Sequence, residues 1–301
     1  MKKAFVVIIA VAGIVAQAMA KGEASEKVTI KTSKVCRMLV QTWADAYMKQ
    51  HPQASIQVID GSRSDGNQPD LVVESGKSEQ SASIVGRYIL LPVTSKDNPA
   101  AGELLKRRLS QYDLSLLYFE QDPYEKDDEE ELSAKRKQLI ERVTVYSGNR
   151  HGSAAESFAR VLGYKTSDLR GKKIGGDDIY LLSAIEKDST GITVSNVAYL
   201  YDTSSRALRA DLLLLPLKAS KEQRQALESR NLDQLLAVFE HDDSDILPAQ
   251  NLLLEASGNL SLTAADFAHW IATDGQQYNN QAGFLRAVSS SGDYGAVAQA
   301  N

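Results

Sequence analysis

Apolar residues follow two different spacings along the chain, and the alternation between them divides it into elements. Val28-Thr29-Ile30 reads as a strand. Val35, Leu39, Trp43 and Tyr47 then recur at every fourth position, so they share one helical face, and the helix runs from Val35 and stops before Pro52. Ser55 to Ile59 (SIQVI) returns to strand patterning, and Asp60 to Gln68 (DGSRSDGNQ) is a turn-rich loop. Leu71-Val72-Val73 is a short buried strand, and Ile84 to Val93 a longer one. Strand, helix, strand, strand with short connections predicts an α/β lobe whose sheet is largely covered.

The middle of the chain repeats this alternation with different punctuation. Helices are expected at Pro99 to Leu109, Ser153 to Leu162 and Ile179 to Lys187, and strands at Val143 to Tyr146, Ile192 to Tyr201 and Ala210 to Leu217 (ADLLLLPL). Asp122 to Glu141 is dense in charge. Its acids at 127–131 precede Lys135, Arg136 and Lys137, an order that suits the dipole of a solvated helix better than a cation site. From Ser220 the chain reads as mostly helical. The order is one α/β segment, a second α/β segment and a helical tail.

Composition narrows the class. Of 301 residues, 34 are Lys or Arg and 39 are Asp or Glu, so no basic surplus is available to offset phosphates, and nucleic acid is not an expected partner. One cysteine, Cys36, excludes an intrachain disulfide framework, and it is read as a small buried group. Four histidines without ligand spacing argue against a zinc enzyme, and no cofactor is expected. No Gly-x-Ser-x-Gly elbow occurs, and His151 near Ser153 has no third partner, so catalysis is not expected. Residues 1–20 read as a secretory leader: Lys2 and Lys3, an apolar run from Ala4 to Val15, then Ala18-Met19-Ala20 as a small-x-small cleavage pattern. The run is short of the roughly twenty residues that cross a bilayer. Cleavage after Ala20 and a mature chain soluble outside the cytoplasm are expected.

Two helix starts carry the candidate chemistry. Lys31-Thr32-Ser33-Lys34 leads into the helix from Val35, and Asn149-Arg150-His151-Gly152-Ser153 leads into the helix from Ala154. A helix N-terminus offers unpaired N–H groups and positive partial charge to an oxyanion. Gly152 permits close backbone approach, Arg150 offers a bidentate fork, and hydroxyls in Ser62-Arg63-Ser64 could join them. A plainer reading stands beside this one: Ser153 with Glu156 three residues on is a capping box, and Thr32 and Ser33 are good caps without any ligand.

Five stretches in order resemble the periplasmic phosphate-binding proteins of ATP-driven importers. They are VTIKTSKVCRMLVQTWADAYMKQHP, ASIVGRYILLPVTSKDNP, VYSGNRHGSAAESFARVLGY, KIGGDDIYLLSAIEKDSTGITVSNVAYLYD and HWIATDGQQYNNQAGFL. The resemblance implies a two-lobed α/β periplasmic binding protein of type II, with mixed sheets flanked by helices and a ligand cleft between the lobes. Lobe 1 would be residues 21–95 and 219–301, lobe 2 residues 96–218, with hinges near Pro92 and Leu217. Carried over by position, the ligand site would comprise Thr32, Ser33 and Lys34, then Ser62, Ser64 and Asp70, then Arg150, Gly152 and Ser153. A periplasmic monomer of this kind would deliver phosphate or a related inorganic oxyanion to the membrane subunits of an ABC importer.

The chain departs from that pattern where it matters. Lys31 and Lys34 replace small or hydroxyl residues, the second loop lacks a glycine-rich run, and Gly152-Ser153-Ala154-Ala155 has lost a hydroxyl. Glu74, if ionised in the cleft, would repel phosphate. Three functions stay open: a receptor for phosphate or a close relative, a receptor for a different ligand such as another oxyanion or a small organic acid, and an interaction or sensory module whose cleft has degenerated.

Overall fold

The computed structural model describes residues 27–61, 68–76, 82–120, 134–149, 152–175 and 178–287. The leader at 1–20, Ser62, Ser64, Arg150, His151 and the acidic run at 127–131 lie outside the described residues.

Two five-stranded mixed sheets organise the chain. In the first, β1 (Lys27–Thr32) runs parallel to β2 (Ser55–Asp60) on one side and β3 (Leu71–Ser75) on the other. β4 (Ser83–Tyr88) forms the far edge, and β5 (Leu90–Ser95) starts the second sheet. There β5 lies antiparallel to both β8 (Gly191–Asn196) and β9 (Leu212–Leu214), while β6 (Thr144–Gly148) runs parallel to β7 (Lys172–Ile174) and β8. β10 (Gln250–Ala256) returns to the first sheet between β3 and β4, antiparallel to both.

The helices, in chain order, are α1 (Arg37–Gln50), α2 (Ala101–Leu104), α3 (Gln111–Tyr118), α4 (Ala134–Glu141), α5 (Ala154–Val161), α6 (Ile179–Lys187), α7 (Val197–Leu200), α8 (Lys221–Glu228), α9 (Leu232–His241), α10 (Leu262–Ala272) and α11 (Gln277–Gln281). No helix among the described residues is long and apolar enough to cross a membrane.

The helix expected from Val35 opens with a 3-10 turn, Lys34–Cys36, before α1, which buries Leu39, Val40, Trp43, Ala44 and Tyr47. The tail is fastened to this helix. The Trp43 indole N–H donates to Gly275 O (3.2 Å) and Asn279 Oδ1 (3.0 Å), and the Tyr47 hydroxyl donates to Asp266 (2.6 Å).

The structure corrects several sequence expectations. The single strand expected from Ile84 to Val93 is divided at Ile89 between the two sheets, so the first crossover lies there, just before Pro92. The strand expected to reach Tyr201 ends at Asn196, whose Oδ1 accepts from Ala198 N (3.1 Å) and starts α7. The helix expected over Pro99 to Leu109 shortens to α2, and α3 follows with a capping box between Ser110 and Asp113. The tail is not only helical, because β10 sits inside the first sheet. Leu215 N donates to Pro92 O (2.9 Å) and Leu217 pairs with Leu109, and the chain joins the first sheet again at Gln250.

Candidate functional site at the lobe interface

β1 ends in Thr32, which is 1% exposed, and the Ser33 N–H donates to Val73 O (3.0 Å) on the neighbouring strand. Pairing to β3 therefore fixes the loop that leads into α1. Its hydroxyls turn inward: Thr32 Oγ1 and Ser33 Oγ each share a hydrogen bond with Cys36 Sγ, at 3.2 and 3.1 Å. Cys36 is fully buried, as its setting in an apolar stretch implies, and burial pushes its thiol pKa up while these two hydroxyls oppose the rise. Its position one turn beyond Thr32 is the sequence signal for that contact. Lys34 points at Asp60 (3.8 Å), which Arg37 also approaches (3.7 Å).

The second lobe grips this loop by its backbone. The Tyr199 hydroxyl donates to Lys34 O (2.9 Å), and the buried Asn196 amide donates to Val35 O (2.9 Å). Neither residue stood out in the sequence, because an Asn and a Tyr after an apolar strand carry no motif.

Facing the loop is the N-terminus of α5. Gly152 has φ +71, a conformation that favours glycine, and a Cβ there would lie 2.7 Å from Ser33 Cβ. The two junctions picked out in the sequence thus meet across the lobes, with Ser33 against Gly152. Three amides at this end already have acceptors in the chain. Gly152 N–H donates to Glu156 Oε2, Ala154 N–H to Asp178 Oδ2 (2.9 Å), and Glu156 N–H to Ser153 Oγ (3.3 Å). The Ser153–Glu156 capping is therefore present, but the reciprocal bond falls on Gly152 instead of Ser153. Asp178 is 2% exposed and precedes α6, yet its carboxylate caps α5 and not its own helix.

Asp70 is not brought to this junction. Its carboxylate accepts from Thr29 N (2.7 Å) and Thr29 Oγ1 (2.8 Å), which pins the start of β3 to β1 three residues before Thr32. Glu74 is half-buried in β3, in register with Leu253 of β10.

A polar chain continues the interface behind α5. Tyr88 OH lies 2.6 Å from Ser75 Oγ and donates to Ser157 Oγ (2.7 Å), and Arg160 reaches Gln250 Oε1 (3.1 Å). Tyr88 is fully buried, and burial raises its phenol pKa well above the usual range although the two serines oppose it.

Magnitudes decide what this arrangement can hold. A helix N-terminus attracts an anion, but here two carboxylates already stand at it. At about 4 Å and an effective dielectric near 20, two like unit charges repel by about 4 kcal/mol. One charge-assisted hydrogen bond returns about 1.5–3 kcal/mol. An anion taking the Gly152 or Ala154 amide would have to displace Glu156 or Asp178. Among the described residues no group of three His, Cys, Asp or Glu is placed to hold a metal ion.

No protein-family model matches the chain, and no curated protein matches it in sequence. Solved structures do match in shape. A Clostridium perfringens protein named as a phosphate ABC transporter substrate-binding protein, with phosphate bound, superimposes with a TM-score of 0.58 at 14% identity, covering 87% of this chain and 100% of that one. An ABC-type phosphate transport receptor from Vibrio cholerae gives 0.53 at 13% identity, covering 86% and 99%. The regulatory domain of CcmR from Synechocystis PCC6803, in complex with 2-PG, gives 0.52 at 14% identity, covering 83% and 97%. The chain therefore has the two-lobed α/β architecture of type II periplasmic binding proteins, a fold it shares with phosphate transport receptors and with a regulatory domain alike.

Proposed function

We propose that this chain is an exported interaction or sensory module, built on a solute-binding scaffold whose lobes close on internal contacts instead of on a ligand. The observation that carries this reading is the capping of α5 by Glu156 and Asp178, with Gly152 seated directly on Ser33. The protein's own carboxylates hold two amides that an oxyanion would use, which supports lobe closure without a solute. Such a module presents one fixed two-lobed surface to a partner. The leader ending at Ala18-Met19-Ala20 supports export, and the mature chain then begins at Lys21.

A second reading keeps the scaffold's transport role: phosphate or a related oxyanion, delivered to ABC-importer membrane subunits. The fold shared with phosphate transport receptors favours it, as does the meeting of the two expected anion junctions. Thr32, Ser33, Lys34, Gly152 and Ser153 would then hold the anion with Ser62, Ser64 and Arg150, once the Ser33–Gly152 contact opens.

Calorimetry and thermal melting with inorganic phosphate separate the two. The module reading expects no saturable heat and no rise in Tm. A receptor binding at a hundredfold over its Kd would gain about 2.7 kcal/mol of stability. A saturable heat with a raised Tm, both lost in Arg150→Ala, would overturn the module reading and establish the receptor.

A further inference from the structure

Away from the Ser33–Gly152 junction, a cavity of about 240 Å³ lies beside β9, the edge strand of the second lobe's sheet, and is also lined by residues of α8. Two other cavities in this lobe, of about 10 and 20 Å³, have room for little more than a water. The larger one is lined by leucines, among them Leu208, Leu213, Leu215, Leu217 and Leu227. Three arginines, Arg108, Arg224 and Arg230, also line it, against one acid, Glu228. Arg224 is held by one bond to Ala219 O (2.8 Å) and Arg230 by bonds to Arg209 O and Leu212 O, which leave further guanidinium N–H groups on each. Arg108 is exposed and has no hydrogen-bonding or ionic partner among the described residues.

The cavity is open to solvent on one side, and its leucine side chains offer water no hydrogen bonds, so an aliphatic group gains by covering them. A surplus of guanidinium beside it selects a planar anionic head, since the Arg fork matches a carboxylate. We propose that this cavity binds a small aliphatic carboxylate of the medium-chain fatty-acid type, its tail among the leucines and its head against Arg108, Arg224 and Arg230. Its lining shares no residue with the Ser33–Gly152 junction and does not rest on either reading of that junction.

The test uses the full-length mature chain with octanoate, octylamine and octan-1-ol, read by calorimetry and thermal melting. Octanoate should bind saturably and raise Tm, with octylamine and octan-1-ol at least tenfold weaker. Arg108→Ala should weaken octanoate binding about tenfold, and Arg108→Glu should abolish it. Leu213→Trp, which fills the half-buried edge position, should block it while circular dichroism shows the fold intact. Equal binding of all three probes, no binding of octanoate, undiminished binding by Arg108→Glu, or displacement of octanoate by equimolar inorganic phosphate would each overturn the assignment. So would an octanoate-insensitive protein that pairs with a second copy through this face.

Discussion

Gly152 and Ser33 belong to opposite lobes and stand so close that a Cβ on Gly152 would fall 2.7 Å from that of Ser33. The contact explains why this glycine is required for two separate reasons: its φ of +71 disfavours any side chain, and its partner leaves no space for one. Gly152→Ala should cost about 1–2 kcal/mol from the left-handed backbone alone, with the steric clash added. The lobes should part at this point. A lower Tm and a larger radius of gyration in small-angle scattering are expected, and a variant that scatters and melts like the parent would show that the junctions do not touch.

The capping of α5 from outside its own sequence makes a second prediction. Asp178→Ala removes the acceptor of the buried Ala154 N–H, and an unsatisfied buried donor costs about 1–3 kcal/mol. Asp178→Asn keeps an acceptor oxygen and should cost less. Without the carboxylate, the N-terminus of α5 becomes open to a dissolved anion, so phosphate or sulfate should restore part of the lost Tm in Asp178→Ala and none in the parent. Absence of that rescue would mean that the carboxylate does not occupy an anion position.

How far the sequence reveals this site can be followed residue by residue. The apolar positions Leu39, Trp43 and Tyr47 do form the buried face of α1, because a fourfold spacing maps directly onto a helix surface. The start of α5 at Ser153 was equally readable, because a capping residue acts within three positions of itself. The crossover at Ile89 was hidden, since both halves of Ile84 to Val93 are apolar and neither half records which sheet receives it. β10 was hidden for a related reason: NLLLEA has the composition of a helix as much as of a strand. Asp178 lies 24 residues from the amide it caps, and Asn196 lies 161 residues from the carbonyl it binds. Local spacing marks where an anion would be welcome, while the residues that already satisfy the place come from elsewhere in the chain.

Tyr88 ties the lobes through hydroxyls, and its ionisation gives the interface a pH limit. Its phenol pKa is raised in the folded state, first by burial, so the folded chain keeps a proton that the unfolded chain loses near pH 10. The stabilisation is fully present below about pH 10 and is lost progressively above it. Tyr88→Phe removes the hydroxyl bonded to Ser75 and Ser157, which remain 3.1 Å apart and bonded to each other. Two net hydrogen bonds amount to roughly 1–3 kcal/mol. The variant should melt lower at pH 7 and lose less of its Tm than the parent between pH 9 and 11. Identical slopes for the two proteins would exclude Tyr88 as the source.

Asn196 offers the sharpest test of lobe closure, because one fully buried amide performs two tasks with two different atoms. Its Nδ2 donates across the interface to Val35 O, and its Oδ1 accepts from Ala198 N to begin α7. Asn196→Asp keeps the shape and the acceptor toward Ala198 but turns the donor into an oxygen facing the Val35 carbonyl. The ionised carboxylate is then buried beside a like partial charge, so its folded pKa must rise above the unfolded value of about 3.9. For a carboxylate displaced in that direction, stability is greatest below the unfolded pKa and falls as pH rises toward the folded one. Relative to the parent, Asn196→Asp should therefore be strongly destabilised at pH 7 and recover as pH is lowered toward 4, where the protonated acid can again donate to Val35 O. Asn196→Ala removes both bonds without adding a titrating group, so its deficit should not change over the same range. A pH-independent deficit in Asn196→Asp as well would place this side chain away from the Val35 carbonyl and remove one of the bonds that hold the lobes together.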